Sequence, residues 1–588
     1  MCGIVGYNFL NKDKSFDPEL IKNLLSSVAH RGPDDSGFQT YRSAMIGNTR
    51  LSIIDLASGH QPMIGGKSDI SVVQNGEIFN YIELKEELIE KGHKFKTTSD
   101  TEVILNAYIE WGEAFVNKLN GMFAIAILDE KRDQLLLFRD RLGVKPLYYY
   151  HKGEDFLFSS EIKTFKKYNF FDKKVKNQSI ANYLVLNYVP VPDTIFEYVH
   201  HIPPGYFARV ELGSNDIKLT QYWDIAHLEQ NNDLSEDGFL DKFEKLLNDA
   251  VRIRLRSDVD VGAFLSGGLD SSLICALMRK NDLEKKISTY SIGFHEKEYD
   301  ESQYAKNVAR EYSLDNNLKF LGGDIVDLWD KVTYHNDQPH GDISFIPTYI
   351  LSEFASKDLK VVLTGDGGDE LFAGYLKYQM LEKNGDSNKY FDTTTVFNEN
   401  ELIDSLSPDF KKTITVGGAR NLFTDCLGKV ENRDLLNKVL YFETKQLLPG
   451  NNLVKPDKMA MANSLETRSP FMDYRLFELC YTMPGKLKLR NGETKYLLKK
   501  LGLRYFNEEH VYRRKQMFTV PIGEWFKNKL SDYLMTIIES EKLIERNIWD
   551  ADQIRKLAQE HKSGVENNTR KLRAIVNLEL WYRTFIDS

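Results

Sequence analysis

The sequence predicts a two-domain α/β protein whose second half contains a parallel β-sheet. The chain has 588 residues, more than one hydrophobic core normally organises. A polar run at residues 229–237 separates a strand-rich first half from a second half in which strands and helices alternate. Such alternation is typical of parallel strands joined by helices. We therefore expect domains at residues 1–228 and 229–588.

Composition excludes several classes of function. The net charge is -9 with acids and bases interleaved, which argues against a nucleic-acid or membrane-surface partner. The four cysteines show neither metal spacing nor disulfide density, and no apolar run approaches the roughly 20 residues of a membrane span. The N-terminus lacks the basic segment of a signal peptide. We expect a cytoplasmic protein with small-molecule partners, and a homodimer stays open.

Cys2 stands directly after the initiator methionine. If Met1 is removed, the thiol gains a free α-amino group with an ordinary pKa of about 7.7–8.0, which can act as its base. An N-terminal nucleophile of this kind performs acyl transfer without a histidine. Cys2 alone is equally compatible with a small buried residue that opens a strand.

Other segments of the first half carry polar groups at the ends of predicted strands and of a predicted helix. Residues 50–55 alternate like a strand that begins at Arg50, and a strand at 70–73 runs into Asn75-Gly76. An Asn-Gly pair at a strand end usually forms a turn. It also offers the side-chain amide and backbone N–H of an oxyanion hole. A capped helix is predicted to begin near Asp100.

Together these motifs resemble the class II glutamine amidotransferase domain. The matching segments are residues 2–6, 31–34, 50–52, 75–77, 99–100 and 140–146. The resemblance implies an αββα sandwich of the N-terminal-nucleophile type that hydrolyses glutamine and releases ammonia. By residue, it implies Cys2 as the nucleophile and Asn75 and Gly76 as the oxyanion hole. For glutamine binding it implies Arg50 at the α-carboxylate, Glu77 and Asp100 at the α-amino group, and Asn75 beside them.

The second half contains two glycine-rich loops, each at the end of a predicted strand. The first strand, 261–265, breaks into Ser266-Gly267-Gly268, and a helix starts near Asp270. Glycines and a helix N-terminus make an anion site, although the spacing is not that of the kinase-type phosphate loop. A Gly-rich turn without a ligand is the alternative. A carboxylate at Asp270 argues against it, since Mg²⁺ can sit between an acid and a phosphate.

The second glycine loop follows strand 361–364 and reads Gly-Asp-Gly-Gly-Asp-Glu at residues 365–370. Strands at 287–294 and 317–320 and a helix at 346–354 lie between the two loops in sequence. Ligands of parallel sheets bind at the carboxyl ends of strands. We therefore expect Asp270 and Asp369 to share one Mg²⁺ on a polyphosphate. A capping turn is the alternative, but its three acids would repel each other without a cation.

Residues 266–271 resemble the pyrophosphate loop of ATP pyrophosphatases, which transfer AMP from ATP. With the first half attached, the order of motifs resembles the glutamine-hydrolysing asparagine synthetase family. Further matches lie at residues 448–450, 455–462, 465–471, 492–495 and 515–523. The resemblance implies ATP as substrate, Mg²⁺ at Asp270 and Asp369, and Lys495 as the cation that neutralises charge while the acyl-adenylate forms. The implied ATP-binding residues are Leu265, Ser266, Gly267, Gly268, Asp270, Ser271, Ile292, Gly293, Thr364 and Gly365.

The acceptor is the least constrained part of the predicted reaction. Asp366 lies in the loop that the resemblance places near the acceptor carboxylate, at a position where members of the family commonly carry Glu. Aspartate is the expected acceptor, and another carboxylate, such as a uronic acid of a surface polysaccharide, is the alternative. A non-catalytic homologue would be expected to lack Cys2, Asp270 or Lys495, which are all present. We also expect an apolar ammonia channel between the domains, and a mobile surface insertion at residues 382–401.

Overall fold

The computed structural model describes residues 2–11, 17–65, 69–295, 300–321, 326–513 and 522–588, except the side chain of Val326. Most of the 515–523 motif therefore lies outside the described residues. Two antiparallel sheets occupy the first half, with strand orders β10-β8-β9-β1-β3-β2 and β12-β11-β7-β6-β5-β4. The strands are β1 (Cys2–Phe9), β2 (Asp35–Tyr41), β3 (Ala44–Arg50), β4 (Met63–Gly65), β5 (Ile70–Ile78), β6 (Gly121–Asp129), β7 (Gln134–Arg139), β8 (Tyr148–Lys152), β9 (Asp155–Ser159), β10 (Val199–His201), β11 (Tyr206–Glu211) and β12 (Ile217–Gln221). The α-helices are α1 (Pro18–Ser27), α2 (Tyr81–Glu90), α3 (Asp100–Trp111) and α4 (Asn177–Leu186).

The two sheets pack face to face between layers of helix. On β6, Phe123, Ile125 and Ile127 enter the core beneath α2 and α3. Ala124 and Ala126 alternate with them and enter the core between the sheets. This period of two places one strand in two hydrophobic cores at once. Helix α1 covers the other sheet, so the expected αββα sandwich is confirmed.

A five-stranded parallel sheet organises the second half, in the order β15-β14-β13-β16-β17. Its strands are β13 (Val261–Phe264), β14 (Ser288–Phe294), β15 (Asp315–Leu321), β16 (Val361–Leu363) and β17 (Glu466–Arg468), and β18 (Leu489–Arg490) with β19 (Glu493–Thr494) forms a separate hairpin. The strand order reverses between β13 and β16, which is where α/β sheets bind ligands. Both glycine loops leave the sheet at this point, and the predicted parallel α/β class is confirmed.

Helices surround this sheet and extend well beyond it. They are α5 (Glu236–Arg254), α6 (Leu269–Asn281), α7 (Ser302–Glu311), α8 (Trp329–Asn336), α9 (Phe345–Ala355), α10 (Gly368–Phe372), α11 (Lys377–Asn384), α12 (Ser387–Thr394), α13 (Glu399–Ser405), α14 (Pro408–Lys411), α15 (Gly418–Gly428), α16 (Leu435–Phe442), α17 (Val454–Met461), α18 (Tyr474–Thr482), α19 (Tyr496–Gly502), α20 (Glu508–Tyr512), α21 (Ile522–Lys527), α22 (Ser531–Ile538), α23 (Glu541–Glu545), α24 (Ala551–Ser563) and α25 (Thr569–Phe585). A π-helical segment, Glu443–Asn452, joins α16 to α17. Among the residues described, no helix is both long and apolar enough to cross a membrane.

Two predicted strand boundaries near the nucleophile are wrong. Arg50 ends β3 rather than beginning a strand, because β3 pairs with β1 only as far as Cys2 opposite Arg50. The predicted strand at 70–73 continues through Asn75 and Gly76 to Ile78, paired with β6 throughout. The Asn-Gly pair therefore lies inside a strand, where cross-strand pairing overrides its turn preference.

The expectation of a mobile surface insertion at residues 382–401 is also wrong. Helix α12 and parts of α11 and α13 occupy the segment, and Tyr390, Phe391 and Phe397 are buried. The backbone N–H of Val396 donates to the carbonyl of Val185 at 2.8 Å, which ties the segment to α4 of the first half. Residues 382–401 are polar on average, so their composition does not indicate that these aromatic residues are buried.

The last helix of the chain is buried against the first half. Trp581 of α25 is fully buried, and its ring centroid lies 5.5 Å from that of Phe196. The hydroxyl of Tyr183 in α4 donates to the carbonyl of Ala574 in α25 at 3.0 Å. The two halves therefore share one interface that includes both early and late segments of the chain.

Candidate active sites

Cys2 is buried at the start of β1, and together with Arg50 of β3 and Asn75 of β5 it forms what we call the Cys2 pocket. Its backbone N–H donates to Asn75 Oδ1 at 3.3 Å, and Asn75 Nδ2 donates to Ser160 Oγ at 3.4 Å. Gly76 has φ +151°, and a Cβ there would lie 2.0 Å from the carbonyl oxygen of Met122. Only glycine fits such a position, which lets β5 lie close to Met122 of β6. The structure therefore brings Cys2, Asn75 and Gly76 together.

The thiol of Cys2 does not ionise easily in this pocket. Burial raises the pKa of Cys2, and the nearby α-amino end, the backbone N–H of Leu51 and the Arg50 guanidinium oppose that effect only in part. A protonated thiol needs a base before it can attack a carbonyl carbon. The backbone nitrogen of Cys2 becomes a free amine once Met1 is removed, and it is bonded to the thiol-bearing residue itself.

Arg50 is held rigidly beside the nucleophile. Its Nη2 donates to the carbonyls of Ile54 at 3.0 Å and Asp55 at 2.7 Å, and the residue is buried. Because β3 pairs Arg50 directly with Cys2, the guanidinium is fixed close to the pocket. A guanidinium oriented by backbone carbonyls is well suited to hold a carboxylate.

Glu77 and Asp100 form an acidic, buried corner of the same pocket. Asp100 accepts hydrogen bonds from Gln74 Nε2 at 2.6 Å and from the backbone N–H of Ile78 at 3.0 Å. Burial and the neighbouring Asp100 carboxylate raise the pKa of Glu77, and burial also raises the pKa of Asp100. Glu77 Oε2 is buried without a hydrogen-bond donor among the described residues. This corner would be stabilised by a cationic ligand.

The first glycine loop is closed by its own serines. Ser266 and Ser271 Oγ atoms lie 3.0 Å apart, and the N–H of Gly268 donates to Ser266 Oγ at 3.2 Å. Gly267 has φ +76°, and a Cβ there would lie 2.5 Å from the backbone nitrogen of Ala305. The loop can thus lie close to α7 only with glycine at this position. It leads into α6, whose N-terminal N–H groups make an anion site.

The second glycine loop lies directly against the first. A Cβ on Gly365 would be 2.7 Å from the backbone nitrogen of Ser271, and a Cβ on Gly368 would be 2.7 Å from Asp270 Cγ. These approaches bring Asp270 and Asp369 to one location. The topology that the sequence predicted therefore produces a shared site at the ends of β13 and β16.

Lys495 lies between these two acids. Its Nζ is 2.5 Å from Asp270 Oδ2 and 2.7 Å from Asp369 Oδ1, and the residue is buried. Burial lowers the pKa of Lys495, but the carboxylates of Asp270 and Asp369 outweigh it and raise the pKa above its ordinary value. The three predicted residues, separated by up to 225 positions in the chain, form one charged cluster.

The remaining predicted nucleotide residues lie at adjoining strand ends. The N–H of Leu265 donates to the carbonyl of Tyr290 at 3.0 Å, which places Leu265 beside Ile292 and Gly293 of β14. The N–H of Thr364 donates to the carbonyl of Arg468 at 2.9 Å, which fixes the start of the second loop to β17. All of these residues line one edge of the sheet.

The acceptor side of the second loop contains Asp366 and Glu370. The carbonyl of Asp366 accepts a hydrogen bond from Ser469 Oγ at 2.5 Å, and Asp366 is half-buried. Glu370 is buried and accepts from the hydroxyl of Tyr375 at 2.6 Å and from Asn452 Nδ2. Asn452 ends the π-helical segment, so this irregular helix contributes directly to the site.

The motif comparison did not assign roles to Arg513, Glu466 or Arg468. Arg513 Nη1 donates to Glu301 Oε1 at 2.5 Å, and a Cβ on Gly268 would lie 3.8 Å from Arg513 Nη2. Its guanidinium is therefore next to the first glycine loop. Glu466 and Arg468 lie on β17 and come close to Glu77 beside Cys2, which no local sequence signal indicates.

The fold and the two sites define a glutamine amidotransferase joined to an ATP-using synthetase. The glutamine amidotransferase domain family matches residues 1–223, and the asparagine synthase family matches residues 242–583. The chain belongs to the asparagine synthase family, since that match covers more than half of its length.

The chain is similar to the following proteins. Asparagine synthetase [glutamine-hydrolyzing] 1 of Bacillus subtilis is 31% identical over 100% of this chain and 97% of its own. Putative asparagine synthetase [glutamine-hydrolyzing] 2 of Methanocaldococcus jannaschii is 39% identical over 64% of this chain and 76% of its own. A solved glutamine phosphoribosylpyrophosphate amidotransferase from B. subtilis overlaps 54% of this chain and 81% of its own, with TM-score 0.30 and 14% identity.

Proposed function

We propose that this protein makes asparagine from aspartate, with glutamine as the nitrogen donor and ATP as the source of free energy. The products are asparagine, glutamate, AMP and pyrophosphate. The observation that carries the proposal is the presence of two assembled clusters in one chain: Cys2 with Asn75 and Gly76, and Lys495 between Asp270 and Asp369.

In the first cluster, the thiol of Cys2 attacks the side-chain amide carbon of glutamine and gives its proton to the α-amine. Asn75 Nδ2 and the N–H of Gly76 donate to the oxygen that becomes negative. The tetrahedral intermediate collapses to a γ-glutamyl thioester, and ammonia leaves with the proton returned by the amine. Water then hydrolyses the thioester to glutamate and restores the thiol.

Glutamine is held by charges that match its α-carbon groups. Arg50 binds the α-carboxylate, and Glu77 with Asp100 binds the α-ammonium. The raised pKa values of both acids support this role, because a bound ammonium would relieve the charge that burial makes unfavourable.

In the second cluster, the β-carboxylate of aspartate attacks the α-phosphorus of ATP. The bond from that phosphorus to the bridging oxygen breaks, pyrophosphate leaves, and β-aspartyl-AMP forms. The loops at residues 266–271 and 365–370 hold the phosphates through backbone N–H groups, and Lys495 offsets negative charge as it develops. Ammonia then attacks the acyl carbon and displaces AMP. Leu265, Ile292 and Gly293 line the nucleoside end.

Mg²⁺ fits the pair Asp270 and Asp369. Their carboxylates already converge on a cationic group, the ammonium of Lys495. No group of three or more metal-ligating His, Cys, Asp or Glu side chains occurs among the described residues. Two protein carboxylates are nevertheless typical of Mg²⁺ sites that use phosphate oxygens and water as further ligands. When bound, the ion would neutralise the pyrophosphate charge.

We further propose that ammonia passes between the sites through a small apolar cluster. Its buried members are Phe79 and Met122 from the first half and Ile253 and Met461 from the second, with Val144 packed against them. Met122 borders the oxyanion hole, since its carbonyl contacts Gly76. Met461 ends α17, which follows Asn452 of the acceptor side. Apolar walls favour neutral ammonia over ammonium, which is not a nucleophile.

We propose domain boundaries at residues 1–228 and 229–588. We also propose that the protein is a cytoplasmic enzyme that acts on small molecules and has no nucleic-acid partner. A homodimer is compatible with this function. Bacterial relatives named as asparagine synthetases and the absence of a membrane-spanning helix in the described residues support this setting.

An acceptor screen tests the proposal. Purified protein with Mg²⁺, ATP and glutamine should release pyrophosphate when aspartate is added, and asparagine should accumulate in equal amounts. Parallel reactions contain glutamate, a uronic acid or no acceptor, and a Cys2→Ala sample supplied with ammonium controls for ATP turnover without transfer. Pyrophosphate release with a uronic acid but not with aspartate would overturn aspartate as acceptor. No pyrophosphate with any acid would overturn the synthetase reaction.

A further inference from the structure

Arg468 connects the two candidate sites. Its carbonyl accepts the N–H of Thr364 at the start of the second glycine loop, at 2.9 Å. Its side chain crosses to the first half, where Nη2 lies 3.5 Å from Glu77 Oε1. Arg468 and Glu77 are both buried, and 391 positions separate them in the sequence. One residue of the synthetase half thus touches the proposed glutamine pocket.

The guanidinium of Arg468 is held by a built set of partners. Nε lies 2.5 Å from Glu466 Oε1, and Nη1 donates to the carbonyls of Arg254 at 2.9 Å and Arg256 at 2.7 Å. These contacts leave Nη2 directed toward Glu77. The orientation of Glu77 therefore depends on β17 and on the turn after α5, both of which belong to the second half.

Charge balance gives Arg468 a function in this pocket. The groups around Glu77 are Asp100 of α3, Glu466 and Arg468 of β17, Tyr81 of α2 and the Cys2 thiol of β1, and Lys145 faces Glu466. Three carboxylates thus lie near the Arg468 guanidinium before glutamine binds, and the Lys145 ammonium is a further cation near Glu466. An α-ammonium would be attracted to Glu77 only while its carboxylate is ionised.

We propose that Arg468 is a positioning residue that completes the glutamine site from the synthetase side and links that site to the ATP loop. Its charge favours the ionised form of Glu77 and orients that carboxylate for the α-ammonium, and its backbone carbonyl holds the N–H of Thr364. This proposal rests on the proposed role of Glu77 in binding glutamine. It adds that the glutaminase pocket is incomplete without β17.

Glutaminase kinetics of Arg468→Gln test the proposal. The KM for glutamine should rise about tenfold or more, the factor that corresponds to one charge-assisted hydrogen bond lost between Glu77 and the α-ammonium of glutamine, while kcat stays within about twofold. Without Arg468 the pKa of Glu77 rises further, so the KM defect should be largest near pH 6 and shrink toward pH 9. Arg468→Lys, which keeps the charge, should recover part of the loss. An unchanged KM, or a loss confined to kcat, overturns the proposal.

Glu466→Gln is a matched variant with the opposite expected sign. It removes an acid that raises the pKa of Glu77, and it leaves Arg468 paired mainly with Glu77. The KM for glutamine should fall by about twofold. If the cluster had a purely structural role, the KM for glutamine would instead rise in both variants alike. Ammonia-dependent synthesis is measured in each protein as the control for correct folding, and a matching rise in KM for both variants contradicts the proposal.

The link to the ATP loop has its own measurement. A non-hydrolysable ATP analogue should change the KM for glutamine in the unaltered protein and leave it unchanged in Arg468→Gln. If the analogue has no effect on the unaltered protein, the link is refuted. Absence of glutamine hydrolysis in the unaltered protein would instead refute the proposed function, so the two failures are distinguishable.

Discussion

Replacing Lys495 by methionine should make the charge balance of Asp270 and Asp369 depend on Mg²⁺. The change keeps an unbranched side chain and removes only the ammonium between Asp270 and Asp369. The two carboxylates would then face each other at the ends of β13 and β16. Both the stability of the second half and its response to Mg²⁺ should change.

The size of the effect follows from burial. Removing one partner of a buried ion pair costs about 3–5 kcal/mol. The side chains of Asp270 and Asp369 retain 17% and 18% exposure, which favours the lower end, about 3 kcal/mol. At about 2 °C per kcal/mol for a domain of this size, Tm should fall by about 6 °C. If Mg²⁺ then binds with Kd of about 1 mM, 10 mM Mg²⁺ restores about 1.4 kcal/mol.

The assay is calorimetric unfolding with and without 10 mM MgCl₂, at ionic strength matched with NaCl. Lys499→Met is the control, because Lys499 lies one turn further along the same helix and its Nζ is 3.5 Å from Glu493 Oε1. Mg²⁺ should raise Tm in Lys495→Met and have little effect on the control. Because the pKa of Lys495 is raised, its ammonium stays charged at any pH below the ordinary pKa of 10.5. The loss of stability in Lys495→Met should therefore be constant from pH 6 to 9. Pyrophosphate release should fall at least about 100-fold while glutamine hydrolysis persists.

Two outcomes would refute this reasoning. The first is a Tm for Lys495→Met equal to that of the unaltered protein, which would mean that the acids do not need a cation. The second is an equal Mg²⁺ shift in Lys495→Met and Lys499→Met, which would mean that Lys495 does not compete with the metal.

Two further predictions concern the separation of the sites. Cys2→Ala should abolish glutamine-dependent synthesis and spare synthesis from added ammonia. Asp270→Asn should spare glutamine hydrolysis and stop pyrophosphate release. Loss of both activities in either folded variant would contradict separate sites. Met461→Phe should narrow the proposed channel, so that asparagine formed per glutamine hydrolysed falls by about half or more while both separate activities remain near normal. Leu465→Phe controls for added bulk outside that cluster, and an unchanged ratio in Met461→Phe argues against the route.

The sequence predicted the parallel sheet and the site at its edge because both depend on local patterns. Strand-to-glycine-loop transitions occur at residues 264–268 and 363–368, and parallel topology brings such ends together. The pairing of Asp270 with Asp369 followed from that rule. The position of Lys495 between them depended on the family resemblance, because a lysine near a helix start carries no local signal.

Other features depended on tertiary pairing that local patterns do not contain. The partner strand β6 carries β5 past Asn75 and Gly76, although the Asn-Gly pair favours a turn. The contact between Glu77 and Arg468 joins two domains and has no sequence periodicity. The average polarity of residues 382–401 indicates an exposed insertion, whereas tertiary packing buries its aromatic residues Tyr390, Phe391 and Phe397.

The burial of α25 against the first half has a consequence during synthesis on the ribosome. The surface around Phe196 and Tyr183 is translated early, but its cover, including Trp581, is among the last parts of the chain to emerge. At about 5–20 residues per second, roughly 360 further residues take about 20–70 s to be made. During that interval the completed sandwich exposes an apolar face to solvent. Nascent chains halted before α25 should therefore bind chaperones at that face and release them once the last helix is added.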